Sequence, residues 1–253
     1  MKAKAITLIL LFFIFPSCAT QRSVITPLQT VNFNYAPTTS SEAGSAGIGI
    51  ILITPNFEKK TFSYYNHRPF TDFRKSLEGD LEEIITSRGF TFRGPFDGYD
   101  EITYSDKTQT DLVVEVEIHP SVQSLSPNPW VKHKKYNYSP VSGQAYWTYS
   151  YSYESTLSVT GKIKITFSEV LSHEKISIKN IDLGTVTCVT KSEGRYRSDA
   201  IIPVKDPGIF NPLVTALESV YKTALDKTWN QFDPEELKSW EEQIKELRER
   251  KKF

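Results

Sequence analysis

The sequence predicts an α/β (α+β) fold: a single mixed sheet with amphipathic helices packed on it, plus a charged C-terminal helix. Three patterns carry that expectation. Ile48, Ile50, Ile51, Leu52 and Ile53 form an apolar run stopped by Pro55, and a strand apolar on both faces has to be covered on both. Phe70, Phe73, Leu77, Leu81, Ile84 and Ile85 recur at helical spacing. Leu112, Val114, Val116 and Ile118, and later Leu157, Val159, Ile163, Ile165 and Phe167, alternate with polar residues, as strands with one buried face do.

Taken in order, the chain opens with Lys2 and Lys4, an apolar run from Ile6 to Phe15, and then Pro16-Ser17-Cys18. The run is too short to span a bilayer but suits the core of an export signal. Residues 1–17 therefore read as a signal peptide. Cys18, directly after a small residue, reads as the first mature residue and the site of lipidation; an ordinary secreted chain with an incidental Cys18 is the other reading. Two or more acyl chains, at about 0.8 kcal/mol per buried methylene, hold a protein stably at a membrane. Residues 18–45 are expected to form a lipid-anchored tether, polar and rich in small residues, with a short strand at Val31–Tyr35. An α/β domain follows over 46–232, carrying an aromatic-rich insertion at 120–156, and a charged helix occupies 233–253.

Within the domain, the helix that starts after Pro69 stops at Gly89, which supplies a left-handed residue. Phe90–Phe92 is expected as a short strand ended by Gly94-Pro95, and Asp97 to Thr110 as a polar loop. If the strands at 112–118 and 157–167 pair, Glu115 and Glu117 meet Lys162 and Lys164 on the exposed face. Ser172-His173-Glu174 makes a turn, and Lys175–Leu183 returns as the partner strand with a bulge near Asn180. Asn211-Pro212 reads as a helix start, leading into the stripe Leu213, Leu217, Val220, Tyr221, Ala224 and Leu225. Asp233-Pro234-Glu235-Glu236 repeats that signal, with Glu236 placed for a capping box. The last helix has a narrow seam of Leu237, Trp240, Ile244 and Leu247, which either lies along the domain or binds another chain.

Composition limits the function classes. The 253 residues carry 30 basic and 30 acidic side chains, and loss of Lys2 and Lys4 on cleavage leaves 28 against 30. No nucleic-acid partner is expected from that balance. With Cys18 acylated, Cys188 has no partner and is expected as a small buried hydrophobe. The lipid is the evident membrane attachment, since no second apolar run of about twenty residues occurs. His67, His119, His133 and His173 are scattered, and no zinc helix, nucleophile elbow, phosphate loop or calcium loop is present. The expectation is a protein that is not an enzyme, with no cofactor and no metal.

Several segments together resemble the neuraminyllactose-binding haemagglutinin family of outer-membrane lipoproteins. They are Cys18, Val31-Asn32-Phe33-Asn34-Tyr35-Ala36-Pro37, the Ile-rich strand running into Thr54-Pro55-Asn56-Phe57, Arg88-Gly89-Phe90, Val113–Ile118, Gly161-Lys162-Ile163-Lys164-Ile165, and the Ala216–Trp229 helix with its charged tail. The strand-hairpin-helix half is more distantly similar to the periplasmic domain of the curli-secretion lipoprotein. The resemblance implies a bacterial cell-envelope protein anchored to the outer membrane, a palmitate-type lipoprotein described as a sialyl-glycan-binding adhesin or flagellar-sheath component. The alternative it implies is a periplasm-facing assembly or scaffold lipoprotein that binds another envelope protein, with an oligomer possible. The family's basic sugar-binding segment follows the strand equivalent to Val113–Ile118; in this chain that region is Pro120–Pro140.

The candidate ligand or partner surface lies there. Lys132, Lys134 and Lys135 form its basic cluster, flanked by Trp130, and Tyr146, Trp147, Tyr149, Tyr151 and Tyr153 follow among small polar residues. Trp147, Tyr149, Tyr151 and Tyr153 fall on one face of an extended strand. Cations between aromatics suit an acidic glycan or a lipid headgroup, and rigid amphipathic rings suit a contact surface. The competing reading has the aromatic face covering the protein's own core. A membrane-spanning hairpin is not expected, because the aromatic alternation is about half the length of a barrel strand.

Overall fold

A computed structural model describes residues 26–58, 63–194 and 206–251 of the chain. The signal segment and Cys18 lie outside the described residues, as do residues 195–205. The fold is α+β, with a seven-stranded mixed sheet in the order β3-β1-β4-β6-β5, β2 pairing with β4 and β7 with β6. The strands are β1 Gly49–Ile53, β2 Asn56–Phe57, β3 Thr91–Phe96, β4 Leu112–Ser124, β5 Trp130–Ser139, β6 Gln144–Glu169 and β7 Lys175–Gly194. The helices are α1 Phe70–Ser87, α2 Tyr104–Thr108, α3 Pro207–Trp229, α4 Pro234–Lys238 and α5 Glu241–Lys251.

β1 is central and fully buried, flanked by parallel β3 and β4. Its alternate side chains serve two cores. Ile50 and Leu52 face the larger one, built with α1 and α3. Ile51 and Ile53 face a smaller one with Ile102, Val113 and Val170. Both faces of the apolar run are covered, as its composition requires.

α1 buries the predicted stripe from Phe70 to Ile85, and Gly89 (φ 85°) ends it in the left-handed region. Arg88 ties the ends of α1 and α3 together: its guanidinium lies 4.2 Å from the Trp229 ring and donates to the Trp229 carbonyl. β6 is the spine of the sheet, 26 residues long. Its C-terminal half pairs with β4, its N-terminal half with β5, and its other edge with β7. Glu117 meets Lys164 directly across β4–β6, with 3.0 Å between Nζ and the carboxylate. Lys162 instead stands opposite His119, and Glu115 lies 3.6 Å from His173.

Several boundaries differ from expectation. Val31–Tyr35 is not a strand but part of a strap along α3, where Asn32 N–H donates to Glu218 and the Phe33 ring packs on Phe73 and Tyr221. Long-range packing of one aromatic overrides the local alternation. β3 runs through Gly94-Pro95 to Phe96, since it is an edge strand and the register shift between Ile51 and Ile53 absorbs the extra residue. Asp97–Thr110 is not only loop: a 3-10 turn at Tyr99–Glu101 leads to α2, whose N-cap Thr103 accepts from Asp106 N–H. That segment buries Ile102 over the smaller core.

β4 continues past Ile118 through Pro120, where it has left β2 behind and pairs only with β6. The bulges of β7 sit at Ile176 and at Leu183–Gly184, on either side of Asn180, and β7 runs on to Gly194. α3 begins at Pro207 under an Asp206 cap, leaving Pro212 inside it. The expected last helix is two, broken at Ser239-Trp240. Its seam lies along the domain: Leu237, Ile244 and Leu247 are buried, and the Trp240 ring sits 5.4 Å from Phe167. Cys188 is a free thiol, half-buried on the main core, and burial pushes its pKa up.

Candidate functional site: a cationic aromatic arm

β5 and the start of β6 form a two-stranded ribbon joined by Pro140-Val141-Ser142-Gly143. Gly143 (φ 66°) takes the left-handed position, and its N–H donates to the Ser139 carbonyl at 2.8 Å. β7 joins β6 only from Tyr151 onward, so residues 144–150 of β6 pair with β5 alone among the described residues. At about 3.3 Å per residue, the ribbon stands some 23 Å clear of β7. It is an arm rather than part of the packed sheet.

Register decides which side chains share a face, because directly paired residues point the same way. Trp130 pairs with Tyr153, Lys132 with Tyr151, Lys134 with Tyr149 and Tyr136 with Trp147. These rungs form one ladder. Lys132 Nζ lies 4.1 Å from the Tyr149 ring and Lys134 Nζ 4.0 Å from the Trp147 ring, each cation reaching diagonally onto the next aromatic. Tyr136 meets Trp147 edge-on at 5.0 Å, and Trp130 meets Tyr153 at 5.1 Å. The ladder continues the odd-numbered face of β6 that carries Val159, Ile163 and Ile165, so it lies on the helix side of the sheet.

Not every predicted residue joins it. Lys135 and Tyr146 pair into the opposite face, with His133, Asn137 and Thr148. That face is polar: His133 Nε2 bonds to the Ser152 hydroxyl at 2.7 Å, and Asn137 donates to Thr148 at 2.7 Å. At its root it forms an open depression lined by Glu154 and Glu193 as well as Lys191. Carboxylates there disfavour an anionic ligand, which leaves the ladder. Tyr153 is only 1% exposed and belongs to the root rather than the surface, its hydroxyl without a hydrogen-bond partner among the described residues. Tyr136 and Tyr138, each more than half exposed, extend the aromatic surface towards the tip. Both belong to the aromatic-rich composition of the stretch from Tyr136 to Tyr153, and the β5–β6 register decides on which face they stand.

The electrostatics are one-sided. No acidic residue occurs between Glu117 and Glu154, and Lys132, Lys134 and Lys135 have no acidic partner among the described residues. Elsewhere several charges are matched, as in Lys164–Glu117, Lys179–Glu236 and Arg93–Asp106. The Lys164 ammonium, with smaller help from His119, holds the Glu117 carboxyl below its usual value despite partial burial. Among the described residues no cluster of three His, Cys, Asp or Glu is placed to hold a metal, and no helix is long and apolar enough to cross a membrane.

No protein-family model and no curated protein matches the chain. Among solved structures, it is similar to a Helicobacter pylori protein described as a homolog of a neuraminyllactose-binding hemagglutinin, at 16% identity and a TM-score of 0.57, covering 85% of this chain and 98% of that one. A Xanthomonas campestris protein (11% identity, TM-score 0.35, 81% and 96% covered) and a lipoprotein from Neisseria meningitidis (9%, 0.27, 67% and 94%) are less alike. At these identities the likeness to the Helicobacter protein is one of fold.

Proposed function

We propose that this chain is an outer-membrane lipoprotein of the bacterial envelope, held by acylated Cys18, whose non-catalytic role is to bind an anionic ligand through the arm. The observation that carries this reading is the pair Lys132 and Lys134, each poised over an aromatic ring and, among the described residues, neither matched by a carboxylate. An ammonium lying on a ring face keeps N–H donors for a second, negative group, and the ring fixes where that group sits. A carboxylated sugar, the ligand class named for the protein behind the Helicobacter homolog, belongs to this class of anion, as does a phosphorylated one.

The test compares the full chain with its Lys132→Ala/Lys134→Ala variant on surfaces bearing sialylated, phosphorylated or neutral sugars. Retention on the anionic surfaces alone, lost in the variant and at high salt, supports the reading. Equal retention of both proteins rejects it. Protease shaving of intact against permeabilised cells then decides orientation: cleavage on intact cells supports adhesion, and protection supports the periplasmic, partner-binding alternative.

A further inference from the structure

The arm and the first described residues of the chain lie at the same end of the domain. Pro27 and Gln29 are held by Asn211, whose amide donates to the Pro27 carbonyl at 3.1 Å and accepts the Gln29 N–H at 2.7 Å. Asn211 lies near the start of α3. The Asp206 cap of that helix accepts from Ser192, and Ser192 pairs with Tyr153 at the root of the arm. From Gln29 the strap runs along α3 away from the arm, reaching Glu218 at Asn32. The chain therefore enters the fold beside the arm's root, and on the helix side of the sheet, which is also the side of the ladder.

Distances agree with this layout. The eight residues from Cys18 to Thr26 span at most about 28 Å, and the arm stands about 23 Å clear of β7. A lipid on Cys18 and the tip of the arm can lie in one plane. The tip's chemistry suits that plane: Val141 is 97% exposed, and Tyr138, Tyr146 and Trp147 follow on the second to fourth rungs behind it at half exposure or more. These rings lie on both faces of the ribbon, which fits immersion of a tip and not a one-sided sugar platform. Lysines stand behind them, without an acidic partner among the described residues. Trp and Tyr at headgroup level, with Lys reaching phosphate, is how proteins meet a bilayer interface.

We infer that the arm docks into the anionic headgroup layer of the same bilayer that holds Cys18, giving the domain a second foothold and a fixed orientation. The inference rests on the arm being an anion-binding surface, as proposed above. The described core begins at Phe33, so the mature chain carrying Cys18→Ser keeps the fold while removing acyl anchoring. Its flotation is measured with vesicles of phosphatidylcholine alone and of phosphatidylcholine with phosphatidylglycerol. Binding is expected only to the anionic vesicles. It should fall roughly tenfold or more in Lys132→Ala/Lys134→Ala/Lys135→Ala, with salt having the same effect. A fluorophore on Val141→Cys, in a Cys188→Ser background, should shift to the blue and be quenched by brominated lipid.

Circular dichroism on each variant confirms that the domain is folded. Vesicle binding that is indifferent to the lysines, or a label that stays in water, overturns the docking. Capture by a sialylated surface without vesicle binding overturns the lipid assignment and leaves the anion-binding arm standing. Failure on both overturns both.

Discussion

Glu169 has no exposed side-chain surface and is held by Arg248 Nε at 2.9 Å and by the N–H groups of Leu171 and Ser172. Burial alone would raise its pKa, but the guanidinium and these backbone donors hold the carboxyl below the usual glutamate value. Its stabilising contribution is thus present above the unfolded-state pKa and fades as pH falls through the folded one. Arg248→Met should cost about 3 kcal/mol in urea unfolding at neutral pH, by stranding a buried carboxylate. The difference should shrink in mild acid, where the stranded group protonates; a pH-independent difference would mean that packing, not charge, is lost. Asp80 behaves oppositely. Burial raises its pKa more than the Tyr221 hydroxyl bond lowers it, so its contribution is present below the unfolded-state value and lost as pH rises through the folded one. Tyr221→Phe should cost about 2 kcal/mol, while Asp80→Asn should leave neutral-pH stability unchanged or higher. Chemical denaturation of the two variants side by side checks the contrast.

Among the elements, the strap and the last helices show how side chains assign work that the local pattern assigned otherwise. Asn211 precedes a proline and has the look of a cap, yet Asp206-Pro207 performs that role five residues earlier and Asn211 clamps the strap. Asn211→Ala should therefore cost about 1 kcal/mol and speed hydrogen exchange at Leu28 to Val31, with α3 unaffected. Unchanged exchange in the strap would show that Phe33 alone holds it. Asp233 caps α4 as its sequence indicates, with its carboxylate accepting from Glu235 and Glu236 N–H. The predicted partner for that cap, Glu236, turns instead to Lys179 on β7. Capping is a local geometry and is legible; where a side chain turns depends on what packs above it.

For the whole molecule, the arm is separable from the core. Its exposed rungs bury little, and of residues 131–152 only Tyr151 and Ser152 pair with β7 among the described residues. Replacing residues 131–152 with an Asn-Gly turn should shift the melting temperature by no more than about 4 °C while abolishing the binding proposed for the arm. A large fall in melting temperature would show that the ladder is part of the core.

The sequence by itself determined the fold class, the fully buried β1, the stripes of α1 and α3 and the strand character of 112–118 and 157–167, while their pairing came from the tertiary structure. Each rests on a short-range period, or on a residue such as Gly89 whose backbone preference needs no partner. The aromatic and cationic residues of the arm were visible as composition. Their division into a ladder and an opposite face was not, because a one-residue change of register between β5 and β6 would exchange the two. Only the tertiary structure settled that Lys132 and Lys134 stand with Trp147 and Tyr149 while Lys135 and Tyr146 do not, and that Tyr153 is buried. It alone placed the strap on α3 beside the arm's root, since that contact joins residues about 180 positions apart through hydrogen bonds no local pattern encodes.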